Sequence, residues 1–369
     1  PKDTFSDLNH SYAWWLKRLA RQVPSASQQL WFQLLDKIFE YADSDEDVSA
    51  GEAVSAAINN PVGQATEAIL DFWYQTEPAN GSGLPEPIKS RLTRLFDPQP
   101  KAYVHGRVIM AAHLSSLYSG DPIWTMQMLL PYFNWASNPA EAKGAWEGYL
   151  WTPRISAELL DAFKSSFLAT ARHYTDLGKH DSQYASILTA AALELGQHFT
   201  KTELREAFNA LPKQGLAESA VMLARSLEGA EDRSEEYWSN RVKPLIESHW
   251  PKSHEKRSSH ESTALVRICV HARSLFPEAV VFLMPFLRKT KNFGLPLSEL
   301  AESGLATRYP REALYLLIAT VDEDDPWPSE DLKNCLDQIS SAESSLASDS
   351  GFRRLQEYWA RYERSTGPN

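Results

Sequence analysis

Apolar residues recur along this chain at helical spacing. Leu160, Phe163, Phe167, Ala171 and Tyr174 stand 3, 4, 4 and 3 residues apart, and Leu216, Ala220, Leu223 and Leu227 stand 4, 3 and 4 apart. Each set therefore falls on one face of a helix. The period of two that a half-buried strand requires is hard to find. Residues 103–108 come nearest, yet they run on into Ile109, Met110, Ala111, Ala112 and Leu114 and read as helix. The predicted fold class is all-α.

Proline marks where helices begin. Pro61, Pro122, Pro139, Pro277 and Pro310 each stand just before an apolar-periodic segment, as expected at a first helical position, where the missing N–H would have had no partner. Asn60, Asp121 and Asn138 precede three of them and are good N-cap residues. Two of these starts resemble each other 33 residues apart: Phe276-Pro277-Glu278-Ala279 and Tyr309-Pro310-Arg311-Glu312-Ala313. A looser third copy begins at Asp121-Pro122. Spacing in the thirties is that of stacked helical hairpins, so an irregular, HEAT-like α-solenoid is expected, with a compact multi-helix domain as the alternative.

Residues 77–87 (EPANGSGLPEP) are rich in Pro and Gly and cannot be helix, and are expected to link an N-terminal helical bundle (1–76) to a helical-repeat region (88–364), followed by a frayed tail (365–369). The runs at 43–47 (DSDED) and 322–325 (DEDD) read as acidic loops.

Composition narrows the function. Hydrophobic residues make up 43% of the chain, which excludes a disordered protein. With 37 Lys and Arg against 48 Asp and Glu, the net charge of −11 argues against a general binder of phosphate backbones. Only Cys269 and Cys335 are present, too few for a disulfide framework, so a reducing cytoplasm is expected. The most apolar runs, 279–287 and 313–321, fall well short of the roughly 20 residues that span a bilayer. No charged-then-apolar leader follows Pro1, so a secretory signal is not expected and the chain reads as a piece of a longer protein.

No phosphate-binding loop, dinucleotide fingerprint or nucleophile elbow occurs. His249, His254 and His260, even with Cys269, match no zinc-ligand spacing, and no metal or cofactor is expected. Arg241, Lys243, Lys252, Lys256 and Arg257, with Arg288, Lys289 and Lys291 further on, form basic stretches at 241–257 and 288–291. With Trp238 and Trp250 as stacking surfaces they could hold nucleic acid; otherwise they are solvated faces over packed tryptophans. In Trp151-Thr152-Pro153-Arg154, the guanidinium is placed either to meet a partner's carboxylate or phosphate or to cap the preceding helix. Cys269 and Cys335 are read as small core residues, and His113, His173 and His198 as general-base candidates without a partner that the sequence can place.

The run 145–156 (AWEGYLWTPRIS), followed by Leu159-Leu160, His173-Tyr174, Leu177-Gly178, Tyr184-Ala185, Leu211-Pro212, Tyr237-Trp238, Asn240-Arg241, Trp250-Pro251-Lys252 and Phe276-Pro277-Glu278-Ala279, carries a resemblance. Over residues 142–287 the chain resembles the uncharacterised helical domain that follows sirtuin-like domains in bacterial defence-associated proteins. The resemblance implies an N-terminal NAD-degrading domain and a C-terminal region that senses a phage component or controls assembly. The NAD-consuming part has no counterpart in this sequence, which lacks its glycine pattern and βα alternation. The expected function is therefore a non-enzymatic region that binds a protein partner, a phage component or the attached effector, with self-association compatible. Trp151, Arg154, Arg241, Trp250, Lys252, Lys256 and Arg257 are the candidate partner-binding residues. The alternatives are a nucleic-acid adaptor using the two basic stretches, or an enzyme whose polar groups converge only in three dimensions.

Overall fold

The computed structural model describes residues 2–42, 52–291 and 293–366. The acidic run at 43–47 and residues 367–369 lie outside them. The described chain is all-α, and its one extended pairing is an isolated parallel bridge between Thr290 and Val321. Among the described residues no single helix is long and apolar enough to cross a membrane. The chain divides into two compact units at Ile187/Leu188.

The first unit contains α1 (Lys2–Leu19), α2 (Gln28–Glu40), α3 (Ala53–Asn59), α4 (Pro61–Tyr74), α5 (Glu86–Arg94), α6 (Tyr103–Ala112), α7 (Leu114–Gly120), α8 (Pro122–Trp124), α9 (Pro139–Trp151) and α10 (Ala157–Ala169). The boundary falls inside α11 (Asp181–Glu194). The second unit contains α12 (Lys201–Ala210), α13 (Lys213–Gly229), α14 (Ser234–Tyr237), α15 (Lys243–His249), α16 (Ser259–His271), α17 (Phe276–Leu283), α18 (Gly294–Glu302), α19 (Leu305–Arg308), α20 (Pro310–Thr320), α21 (Glu330–Ala342) and α22 (Ser350–Thr366). The last helix thus continues one residue past the expected start of the tail.

All five marked prolines open helices, at the first position of α4, α8, α9 and α20 and the second of α17. The three preceding Asn or Asp side chains cap as their chemistry predicts. Asn60 accepts from Val62 N–H, Asp121 from Trp124 N–H and Asn138 from Glu141 N–H. These signals act within four residues, so tertiary context has little to override.

In the first unit, α4 packs on α1 and α6, and α6 packs on α9. Gly148 allows the last approach: a Cβ there would lie 2.4 Å from the Val108 carbonyl oxygen. Gly148→Ala is therefore expected to lower stability by about 1–3 kcal/mol, because backbone cannot yield as a flexible side chain does; an unchanged urea midpoint would show that α6 and α9 part freely. Below this crossing lies an aromatic knot of Phe133, Trp146, Tyr149, Phe163, Phe167 and Tyr184, with ring centroids 5.1–6.2 Å apart. The periodic set 160–174 is buried as expected, but on two segments. The helix is distorted at Phe163 (φ −133°, ψ 19°), and a 3-10 run takes over at Thr170.

Residues 77–85 form a loop, but Glu86 and Pro87, expected to be non-helical, already open α5, since proline is tolerated in a first helical turn. The loop does not separate two domains. Gly81 and Gly83 adopt left-handed φ of 72° and 80°, and their N–H groups donate to the carbonyls of Ser119 and Gly120. Asp121 Oδ2 then accepts from Leu84 N–H and Lys89 Nζ. Pro and Gly reported only that this stretch cannot be helix; the hydrogen bonds fold it back onto its own unit.

Glu147 on α9 is 1% exposed and accepts from Ala53 N–H at 2.9 Å. Burial raises its pKa above the ordinary carboxylate value. A folded-state pKa that is raised favours the protonated native state, so this contribution to stability is lost as pH rises from the ordinary carboxylate range through the raised value. Glu147→Gln keeps an acceptor and carries no charge. The stability of the wild type relative to this variant should fall across that window in urea titrations, and a pH-independent difference would assign the titration elsewhere.

The second unit is built from helical hairpins, each packed on the next. Helix α13 meets α16, α16 meets α18, and α18 and α19 meet α21, while α17 meets α20 and α20 meets α22. The repeat seen in the sequence is a real neighbour relation: the rings of Phe276 and Tyr309 stack with centroids 6.2 Å apart. Ion pairs cross from hairpin to hairpin, as in Arg267–Glu299, Arg311–Glu343 and Lys333–Glu363. The bridge joins equivalent loops, with Thr290 N–H donating to the Thr320 carbonyl. The looser third copy, in the first unit, is built differently, because α8 passes directly into a π turn and a 3-10 turn. The hairpin array therefore begins in the second unit rather than at residue 88, and the first unit has the compact arrangement.

Candidate functional site

The basic stretch at 241–257 does not form a surface track. Lys256 Nζ donates to the carbonyls of Asn209 and Leu211, tying down the end of α12, and burial lowers its pKa. Arg257 is buried, with its guanidinium bonded to His254 Nδ1 at 2.9 Å and the Lys252 carbonyl at 3.2 Å, over the ring of Phe286. Arg241 donates to the Leu193 carbonyl, and Lys243 pairs with Glu278. In the 288–291 stretch, Arg288 reaches the His254 carbonyl and Lys289 the Val321 carbonyl and Glu323. The sequence reading took these cations as solvent-facing. In the fold most of them satisfy backbone carbonyls where loops and helix ends leave acceptors without intrahelical partners.

Trp238 and Trp250 are not stacking surfaces. Both are buried. Trp250 Nε1–H donates to Glu261 Oε1 at 2.8 Å, and its ring lies 5.7 Å from that of Phe208. Glu261 also closes a capping box with Ser258 at the start of α16, and burial raises its pKa. Lys252 remains exposed, at the rim of a polar concavity.

Trp151 and Arg154 behave differently from the core-and-cap alternative. Trp146 is fully buried, whereas Trp151, at the end of α9, is 49% exposed with an edge contact to His180. Arg154 is exposed, and its side chain makes no hydrogen bond among the described residues. Its carbonyl instead accepts from Ser115 Oγ and Tyr149 OH. The pair is accessible to solvent.

The general-base candidates are dispersed. His113 Nδ1 lies 2.8 Å from Tyr74 OH, and burial lowers its pKa. His173 stacks on Trp135 and meets Asp176 at 2.9 Å, while His198 sits in a short 3-10 turn. Cys269 and Cys335 are buried, and burial pushes both thiols up, Cys335 to about 12, so they are core thiols rather than nucleophiles. Among the described residues no three His, Cys, Asp or Glu side chains group as metal ligands.

The apolar site lies where the sequence reading placed none. Helix α1 turns Ala13 and Leu16 inward, in line with Ala20 of the 3-10 turn that follows it, so the adjacent Trp14 and Trp15 cannot follow and stay 51% and 48% exposed. Trp15, Leu16 and Leu19 form one wall of a groove of about 210 Å³, and Leu30, Trp31 and Leu34 of α2 form the other. Val23 and Pro24 close one end. The floor is fixed by Trp31, whose Nε1–H donates to the Leu16 carbonyl at 3.1 Å. Leu30, on the rim, is 58% exposed. A signal was available: four successive apolar residues, Ala13 to Leu16, are wider than the single stripe a helix can bury on one side.

No family model and no solved structure matches the chain. It is similar, at 22% identity over 361 residues, to the uncharacterized protein y4cA of Sinorhizobium fredii (strain NBRC 101917 / NGR234). The match covers 91% of this chain and 29% of that protein, so the chain spans under a third of its relative's length.

Proposed function

We propose that this chain is a non-enzymatic helical region that binds another protein, and that the groove between α1 and α2 receives an apolar helix face from that partner. The observation that carries the reading is the pairing of a fixed, buried floor at Trp31 with exposed anchors at Trp15 and Leu30. Large apolar side chains left in water around a concave apolar floor are what a partner's i, i+4, i+7 residues cover, and Trp is among the residues that most often dominate such contacts. The finer reading, a sensing region of an antiphage defence protein whose attached sirtuin-like effector degrades NAD, rests on the resemblance described above. The partner is then that effector or a phage protein.

A photo-crosslinking residue in place of Leu30 tests the contact directly in bacteria with and without phage. The expected result is one defined protein adduct that is absent when the same residue replaces exposed Lys213, and that disappears in a Trp15→Asp background. Equal crosslinking at both positions, or none at Leu30, sinks the docking proposal. Consumption of NAD by the purified chain would contradict its non-enzymatic part.

A further inference from the structure

In the second unit a polar concavity of about 450 Å³ opens between α12 and the end of α15. Lys201, Arg205 and Asn209 recur every four residues along α12 and form one wall. Glu247 and Ser248 of α15 stand opposite, with Lys252 beyond them. The buried Trp250 and Pro251 make a rigid base.

The state of the cations sets this place apart. Lys256, Arg257, Arg288 and Lys289 all bond to protein carbonyls. The charged side-chain groups of Lys201, Arg205 and Lys252 are exposed and make no hydrogen bond or ion pair with any described residue, and Glu247 pairs with none of them. Two like charges one helical turn apart are unfavourable by themselves, and here a third faces them across the same space on a chain of net charge −11. Burial, with the charges of Arg205 and Lys201 acting in the same direction, lowers the pKa of the neighbouring His249.

We infer that this groove binds a small ligand through a phosphate group, with Arg205 as the forked donor and Lys201 and Lys252 as flanking point charges. A phosphate dianion offers three strong acceptor oxygens, enough for cations arriving from both walls. The Ser248 hydroxyl and the Asn209 amide supply neutral hydrogen bonds to the rest of the molecule. Nucleic acid fits less well. Its single strands need exposed aromatic faces, and Trp250 is 3% exposed. Its duplexes need a broad cationic face, and the neighbouring cations are already engaged.

Calorimetric titration with inorganic pyrophosphate at low salt tests the site. The expected result is saturable binding of one ligand per chain, weakened about tenfold or more by Arg205→Gln and by Lys252→Gln, the loss of one charge-assisted hydrogen bond in each case. Arg353→Gln, which removes an exposed cation on α22, should leave binding unchanged. Lys252 lies outside the helices, so its variant reports even if Arg205→Gln disturbs α12. The inference fails if pyrophosphate does not saturate, if Arg353→Gln weakens binding as much as the groove variants, or if citrate binds as tightly, which would mean attraction for any polyanion. It also fails if short single-stranded RNA binds more tightly than pyrophosphate and depends on Arg205, because the groove would then serve nucleic acid.

Discussion

Replacing Trp146 by Ala is expected to destabilise the first unit by about 3–5 kcal/mol, while the same change at Trp151 costs under about 0.5 kcal/mol. The two tryptophans lie five residues apart on α9. Trp146 is fully buried among the rings of Phe133, Tyr149, Phe163, Phe167 and Tyr184, and its Nε1–H donates to the Phe133 carbonyl at 3.0 Å. Truncation opens a cavity in the knot and strands that carbonyl. Trp151 leaves only an edge contact with His180. Native-state hydrogen exchange separates the two: amides of α9 and α10 should lose protection by about a hundredfold or more in the Trp146 variant and keep it in the Trp151 variant. Similar losses in both would mean that the knot does not hold this unit together.

Arg107→Ala is expected to cost about 3 kcal/mol or more. The guanidinium is almost completely buried on α6. It donates through Nε and Nη2 to both oxygens of Glu141, through Nη1 to the Leu95 carbonyl at 2.6 Å, and lies 5.2 Å from the Tyr132 ring. Its removal leaves a half-buried carboxylate and a carbonyl without their donor, and that loss exceeds the net worth of the pair itself. The double variant Arg107→Met, Glu141→Gln removes the charge and keeps the volume, so its urea midpoint should recover more than half of the loss. A double variant no more stable than Arg107→Ala would show that packing against Tyr132, rather than charge, sets the cost.

How far the sequence could be read depended on how far apart the deciding residues are. The helix starts at Pro61, Pro122 and Pro139 were legible because cap and proline adjoin each other. The hairpin repeat was legible from Phe276 and Tyr309, because stacked repeats place equivalent residues side by side. The loop at 77–85 was recognised, but its role was not, since its partners are the carbonyls of Ser119 and Gly120 nearly forty residues on. The candidate sites were the least legible part. Trp250 and Arg257 looked like binding residues and are internal, while Trp15 and Leu30 were passed over and line the apolar groove.

The sequence by itself determined that this protein is helical, where the five proline-marked helices begin and which face the periodic apolar sets present, because those properties are set by residues within one or two turns of each other. Tertiary structure alone decided which of two neighbouring tryptophans is buried and which cations meet a carbonyl instead of solvent. It also decided that a compact bundle precedes the hairpin array. Burial and pairing depend on what lies opposite a side chain, and in this fold what lies opposite is commonly 30 or more residues away.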